Sequence, residues 1–327
     1  MVIAITMGDA AGVGPEIALR SFLDGEIPDG AVVYGDLSVL QYCAETLGLS
    51  VPLRAVRDPR EAAAGQLNVL DFARLNRGDF AIGKVSAASG AAARHYVVEA
   101  TKAALARRVE AVVTLPMNKE ATRLSDPQFI GHTELIASLC GVERFAMMLA
   151  LDELATTFVS THVSLAEAIR LVRRDRVIEL ALLMHETLSR FIAKPRLAVA
   201  GLNPHAGEAG IFGDEENREI APAVREARDR GLDIEGPLPP DTVFLQALRR
   251  KRFDAIICMY HDQGHIPLKL YDFEGGVNVT LGLPIIRTSV DHGTAFDIAY
   301  QGKASTRSLV AALRYARKLM QTDRLTG

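Results

Sequence analysis

Three of the eight histidines share one local pattern. His162 closes the stretch TTFVSTH, His205 closes LAVAGLNPH and His261 closes AIICMYH. In each, a strand-like run of apolar and β-branched residues stops and an imidazole stands at or just beyond its end. Ligands of open α/β sheets bind outside the carboxyl ends of the strands, so three imidazoles delivered there could converge on one metal ion. Neutral imidazoles suit zinc, cobalt or nickel, and a three-histidine set leaves a coordination position open to substrate. The spacings are too long for a local motif such as H-E-x-x-H, and hydrogen-bonded loop histidines are the alternative. His95 and His185 fall inside helical patterns and read as structural. His265 and His292 stand in loop-like polar stretches and stay open.

Two further stretches carry charge suited to an anion. FIGHTELIA places His132 and Thr133 between a glycine and an apolar helical pattern. That is the form of a helix start, with Thr133 as a possible cap and exposed N–H groups that favour negative charge. The segment from His261 to Asp297 interleaves Asp262, Lys269, Asn278, Arg287, Asp291 and His292 with five glycines and apolar strand residues. Charges set among glycine, proline and strand residues predict a cleft lining rather than a solvated face. Lys269 and Arg287 there supply positive charge for a phosphate or carboxylate.

The elements that must position these groups follow an α/β rhythm. Strands are predicted at Val2–Thr6, Val32–Tyr34, Val112–Leu115, Arg196–Ala200 and Ala255–Met259. Helices are predicted at Gly90–Arg108, Arg176–Phe191, Glu215–Arg230 and Thr306–Met320. In the second of these, Ile178, Leu182, His185 and Leu188 share one face. FAMMLALDELATTFVST breaks the rhythm with two apolar runs around Asp152 and Glu153, which reads as an antiparallel hairpin in a mixed sheet. ITMGDAAGVGPEI near the start has Gly8, Gly12 and Gly14 as G-x-x-x-G-x-G, with Pro15 where a P-loop has lysine. Neither the Rossmann fingerprint nor the P-loop is present, so a backbone corner and a ligand-contacting loop are the two readings.

Bulk properties fit a packed α/β enzyme. The 327 residues are 49% apolar and 24% charged, with a net charge of −3. No basic run or aromatic-basic patch suggests nucleic acid, and no segment approaches a membrane span. The start lacks the charged and apolar regions of a signal peptide. Cys43, Cys140 and Cys258 are far apart, form no C-x-x-C, and suit a reducing cytoplasm.

Taken together, ITMGDAAGVGPEI, GHTE, STH, GLNPHAGE, GPLPPDT, YHDQG and GVNVTLGLPIIRTSVDHGTA resemble the 4-hydroxythreonine-4-phosphate dehydrogenase family of vitamin B6 biosynthesis, along essentially the whole chain. GDAAGVGPE also looks like the start of isocitrate and isopropylmalate dehydrogenases, whose fold that family is similar to. The resemblance implies two α/β/α domains with mixed, mostly parallel sheets and an active-site cleft between them. The expected division is 1–130 plus 288–327 against 131–287. It also implies a cytoplasmic homodimer with its active site at the interface.

The family's metal ligands fall on His162, His205 and His261, and its substrate contacts on His132, Thr133, Lys269, Asn278 and Arg287. NAD would be the oxidant, with one divalent ion such as zinc, cobalt or magnesium per site. Oxidation of the C3 hydroxyl of a 4-phosphorylated four-carbon acid, then decarboxylation, is the implied reaction. Lys119, Asp241 and Asp262 are the candidates for proton handling; the two aspartates match family motifs and could instead orient their neighbours.

Some positions depart from the biosynthetic pattern. Ala10 stands where proline is usual, TLPMNKE replaces a typical TGPxxK while keeping Lys119, and His265 in DQGHIPLK replaces an apolar residue. With GIFGDEE and PPDTVFLQA, these features look more like the branch acting on D-threonate or D-erythronate 4-phosphate, and they suggest that His265 faces C2 of the substrate. A cis-dihydrodiol dehydrogenase branch shares DQGHIP but tends to lose GHTE. A metal-dependent lyase without a redox step is the remaining alternative.

Overall fold

The β-branched runs become buried parallel strands in the computed structural model, which describes residues 1–321. The chain clusters into two units, Met1–Glu143 with Leu283–Met320, and Arg144–Gly282. The first opens with β1 (Ile3–Thr6), α1 (Gly14–Leu23), β2 (Ala31–Gly35), α2 (Leu37–Leu47), β3 (Leu53–Val56) and β4 (Leu67–Asp71). It continues through α3 (Ala87–Leu105), β5 (Ala111–Thr114), α4 (Lys119–Arg123) and α5 (His132–Leu139).

The second unit holds β6 (Ala146–Ala150), β7 (Ala155–Phe158), α6 (Leu165–Leu171), α7 (Arg174–Leu188) and β8 (Arg196–Ala200). Then come α8 (Ala221–Asp229), β9 (Asp233–Leu238), α9 (Pro240–Leu248), β10 (Ala255–Cys258), α10 (His261–Tyr271) and β11 (Val277–Leu281). The chain returns to the first unit for β12 (Ile286–Val290) and α11 (Arg307–Met320).

In the first unit the strand order is β3-β4-β2-β1-β5-β12, and every pairing is parallel. Parallel strands need crossovers and are covered on their faces, which is why β1, β2 and β5 are buried at every position. The glycines after β1 are a backbone corner. A Cβ on Gly8, at φ +76°, would come within 2.3 Å of the Pro116 carbonyl oxygen, and one on Gly14 within 2.2 Å of that of Met7. Pro15 then starts α1, where a missing N–H costs nothing. The turn serves close packing of β1 against the segment after β5.

In the second unit the order is β11-β6-β7-β10-β8-β9. β6 pairs antiparallel with both β11 and β7, and the remaining pairings are parallel. The antiparallel hairpin expected around Asp152 and Glu153 is thus β6–β7. The buried stripe of α7 is Val177, Ile178, Leu180, Ala181, Met184 and Leu188. It includes two of the four residues expected on that face, while Leu182 and His185 sit half-buried at its margin.

Three local expectations differ. The segment containing Gly264 and Pro267 is helix α10, not loop, because buried Gln263, Gly264, His265 and Leu268 pack that side against the sheet and tertiary contact overrides weak propensity. Gly131, not Thr133, occupies the N-cap position of α5. The unit boundaries lie near 143 and 283 rather than 130 and 287, since α5 packs on α3 and β12 pairs with β5. His132, Thr133 and Arg287 therefore belong to the first unit. Among the described residues, no helix is long and apolar enough to cross a membrane.

Candidate active site

In the first unit, strand ends and a helix start bring four of the expected residues together. Arg287 lies on β12 opposite Val112 and is only 3% exposed. Its Nη2 donates to Thr114 Oγ1 at 2.8 Å, and its Nη1 reaches Thr133 Oγ1 at 3.5 Å. Burial lowers its pKa to about 10, opposed by the charge of Glu134, so the guanidinium stays protonated at neutral pH. Thr133 and His132 form the first turn of α5, whose N-terminus adds a partial positive charge. Lys119 begins α4, held there by Asn118, whose Oδ1 accepts from Ala121 N at 2.8 Å. A Cβ on Gly131 would lie 3.7 Å from Lys119 Cε and 2.7 Å from Glu134 Oε2, so the glycine lets both chains approach the helix start.

His132 is the unusual member. Its pKa falls to about 3, through burial first and then the charges of Arg287 and Lys119, with a hydrogen bond to the Leu115 backbone acting in the opposite sense. The ring is therefore neutral. Among the described residues its Nε2 is buried without a hydrogen-bond partner, which leaves Nδ1 as the donor to the Leu115 carbonyl. In a neutral imidazole that tautomer makes Nε2 an acceptor. It can receive a hydrogen bond from a hydroxyl but has no proton to give a phosphate oxygen.

In the second unit, a pocket of about 250 Å³ opens where β7 and β10 end, lined by Ser160, Thr161, His162, Tyr260, His261 and Asp262, among others. The His162 and His261 ring centres are 5.8 Å apart. Two imidazoles sharing one ion at about 2.0–2.1 Å place their ring centres roughly 5–6 Å apart, so this pair fits a common metal. His261 Nδ1 lies 2.7 Å from Asp262 Oδ1, the arrangement that fixes a metal-binding imidazole's tautomer and leaves Nε2 for the ion.

His265 packs behind His261 and is not part of the lining of this pocket. It is 6% exposed and stacks on His261 at 3.7 Å and 8°, and on Phe158 at 4.5 Å and 24°. Its Nδ1 lies 3.0 Å from the His261 carbonyl oxygen. The ring is a wall behind His261, one helical turn on.

His205 lies apart from this pair. It sits in the turn Pro204–Gly210, with an exposed side chain whose Nδ1 is 3.9 Å from Asp241 Oδ2 on α9. Among the described residues, no three His, Cys, Asp or Glu side chains gather closely enough in one chain to hold a metal. The structure thus sets His162 beside His261 and His205 near Asp241. The His205 turn is locally costly. His205, Ala206, Glu208 and Ala209 all have left-handed φ between 41° and 59°, at about 1–2 kcal/mol per non-glycine residue.

Lys269, on α10, holds its ammonium 5.6 Å from the Phe273 ring centre. Asn278 on β11 pairs with Leu149, and its Oδ1 is buried without a partner among the described residues. Gln263 escaped the sequence reading. Its Oε1 accepts from Met259 N and its Nε2 donates to the Gly201 carbonyl, both at 2.7 Å, so it ties the His261 turn to the strand end before His205. Its position inside YHDQG was the available signal.

A family profile described as "Pyridoxal phosphate biosynthetic protein PdxA" matches residues 29–316. The chain belongs to the PdxA family. Among relatives, the D-threonate 4-phosphate dehydrogenase of Salmonella typhimurium is 46% identical over 97% of this chain and 98% of its own length. The 4-hydroxythreonine-4-phosphate dehydrogenase of Beijerinckia indica is also 46% identical, over 97% of this chain and 94% of its own. A crystal structure of 4-hydroxythreonine-4-phosphate dehydrogenase from Klebsiella pneumoniae superposes with a TM-score of 0.90 at 42% identity. It covers 98% of this chain and 99% of that one. PdxA-family relatives bearing two substrate names are thus equally similar to this chain.

Proposed function

We propose that this chain is an NAD-dependent, divalent-metal-dependent dehydrogenase. It oxidises the C3 hydroxyl of a four-carbon acid 4-phosphate, and the product loses carbon dioxide. The relatives' names support the reaction class, and the observation that carries it is the His162–His261 pair with Asp262 on His261 at the strand ends. D-Threonate or D-erythronate 4-phosphate is the proposed substrate, on the sequence features shared with that branch, with 4-phosphohydroxy-L-threonine as the competitor.

His162, His205 and His261 are the proposed metal ligands. A zinc, cobalt or magnesium ion held there would supply Lewis-acid stabilisation of charge developing on substrate oxygen, and NAD would accept the hydride. The protein's own groups bind and orient. Arg287, Lys269 and Thr133 hold the anionic ends, Asn278 offers an amide, and His132 receives a hydrogen bond from a substrate hydroxyl through Nε2. Asp262 fixes the His261 ring and Asp241 steadies His205. Lys119, beside the start of α5, is the proposed proton-handling group.

The functional unit is proposed to be a homodimer. α10 supports this, because the helix that carries His261 also exposes Ile266 and Leu270 at 62% and 87%, with Phe273 at 68% just beyond its end, an apolar set that a second copy would cover. The test is NADH formation by zinc-supplemented protein offered the sugar-acid phosphates and the amino-acid phosphate side by side. Faster turnover of a sugar acid supports the proposal. Preference for the amino acid reassigns the substrate, and no turnover of any overturns the reaction.

A further inference from the structure

The turn that presents His205 has no local reason to exist. Four residues other than glycine adopt left-handed φ within Pro204–Gly210. Such conformations persist only where the surroundings over-determine them. The surroundings here converge on one side chain, Glu216, which is 3% exposed. Its Oε1 accepts from Leu202 N and Asn203 N, both at 2.7 Å. Its Oε2 accepts from Asn203 Nδ2 at 2.9 Å, and the same amide also donates to Glu215 Oε2 at 2.8 Å.

The carboxylate also touches the other side of the turn. A Cβ on Gly207 would approach Glu216 Oε2 to 2.8 Å, and one on Gly201 would approach Oε1 to 3.2 Å. Glu216 thus grips the chain before His205 and lies against the residue two positions after it. It begins a π-helical turn, Glu216–Ile220, where a regular helix was expected, and π turns recur at functional sites.

We propose that Glu216 is a positioning residue: its buried carboxylate fixes the left-handed turn that presents His205 as a metal ligand. The inference rests on the reading of His205 as a ligand. Hydrogen-bonded partners of metal ligands typically govern affinity by roughly 10–100-fold when removed, and Glu216 acts one step further back, through the backbone that carries the imidazole.

The test is Co²⁺ affinity of the full-length protein, measured by competition with a chromophoric chelator, for wild type, H205A, E216A and E216Q. Hydrogen exchange at the Leu202 and Asn203 amides and thermal unfolding are measured alongside. Expected is a loss of roughly 10–100-fold in E216A, with faster exchange at both amides. E216Q keeps an oxygen for the two backbone donors and is expected to lose only about fivefold, as charge-assisted bonds become neutral. A merely structural role would lower the thermal midpoint and leave the affinity of the folded protein unchanged. Should E216A fail to fold, E216Q decides, and wild-type affinity in that variant overturns the inference. Loss of affinity in H205A with none in a folded E216A overturns it alone. Unchanged affinity in H205A overturns the ligand reading and this inference with it.

Discussion

Replacing His132 with glutamine should make the protein less sensitive to acid. The ordinary histidine pKa of 6.5 falls to about 3 in the folded chain, through burial and the neighbouring Arg287 and Lys119. A folded-state pKa below the unfolded one means that the stability contribution is present above 6.5 and is lost as pH falls toward 3. Between those values the unfolded chain takes up a proton that the folded chain refuses. Stability then declines by about 1.36 kcal/mol per pH unit, or roughly 2 kcal/mol from pH 6.5 to pH 5. For a unit of this size, that corresponds to a fall in Tm of about 4–8 °C. The assay is urea unfolding of wild type and H132Q at pH 8 and pH 5. Other titrating groups cancel in the difference between the two proteins, leaving the His132 contribution. Equal losses in both proteins would refute the argument, as would an NMR titration placing His132 near its ordinary pKa.

Other outcomes follow from the same geometry. R287M removes a buried guanidinium that bridges Thr114 and Thr133, and kcat/KM for the phosphorylated acid should fall by roughly 10–100-fold, at about 1.5–3 kcal/mol for bonds to a charged group. D262N should weaken metal binding by roughly 10–100-fold in a chelator competition, because His261 loses the carboxylate that orients it. H265L should leave the preference between sugar-acid and amino-acid phosphates unchanged in paired kinetic assays while altering metal affinity, since the ring backs His261. L270E, on the exposed face of α10, should shift a sedimentation profile toward monomer if that face is the dimer contact.

The local grammar of the chain was open to reading. Val112–Leu115, Arg196–Ala200 and Ala255–Met259 announce strands because β-branched residues suit a pleated, half-buried surface. Turn and apolar patterns place His162, His205 and His261 near strand ends for the same reason. The Asp152–Glu153 break announces a hairpin, because two charges between apolar runs suit a reversal at the surface. Family motifs spread along the chain supply the reaction class without any geometry.

What only the tertiary structure decided concerns partners distant in sequence. Arg287 meets Thr114 across 173 positions, and no local window encodes that pairing. A window containing Gly264 and Pro267 favours loop, yet burial of Gln263 and Leu268 makes it helix, which stacks the His265 ring on that of His261. The His132 tautomer depends on a carbonyl 17 positions earlier and on two cations that burial leaves unscreened. The left-handed turn at His205 opposes its own residues' preferences and stands because Glu216, eleven positions later, holds it. Propensity acts over a few residues, whereas a site is built where packing joins distant ones and makes each lost contact costly.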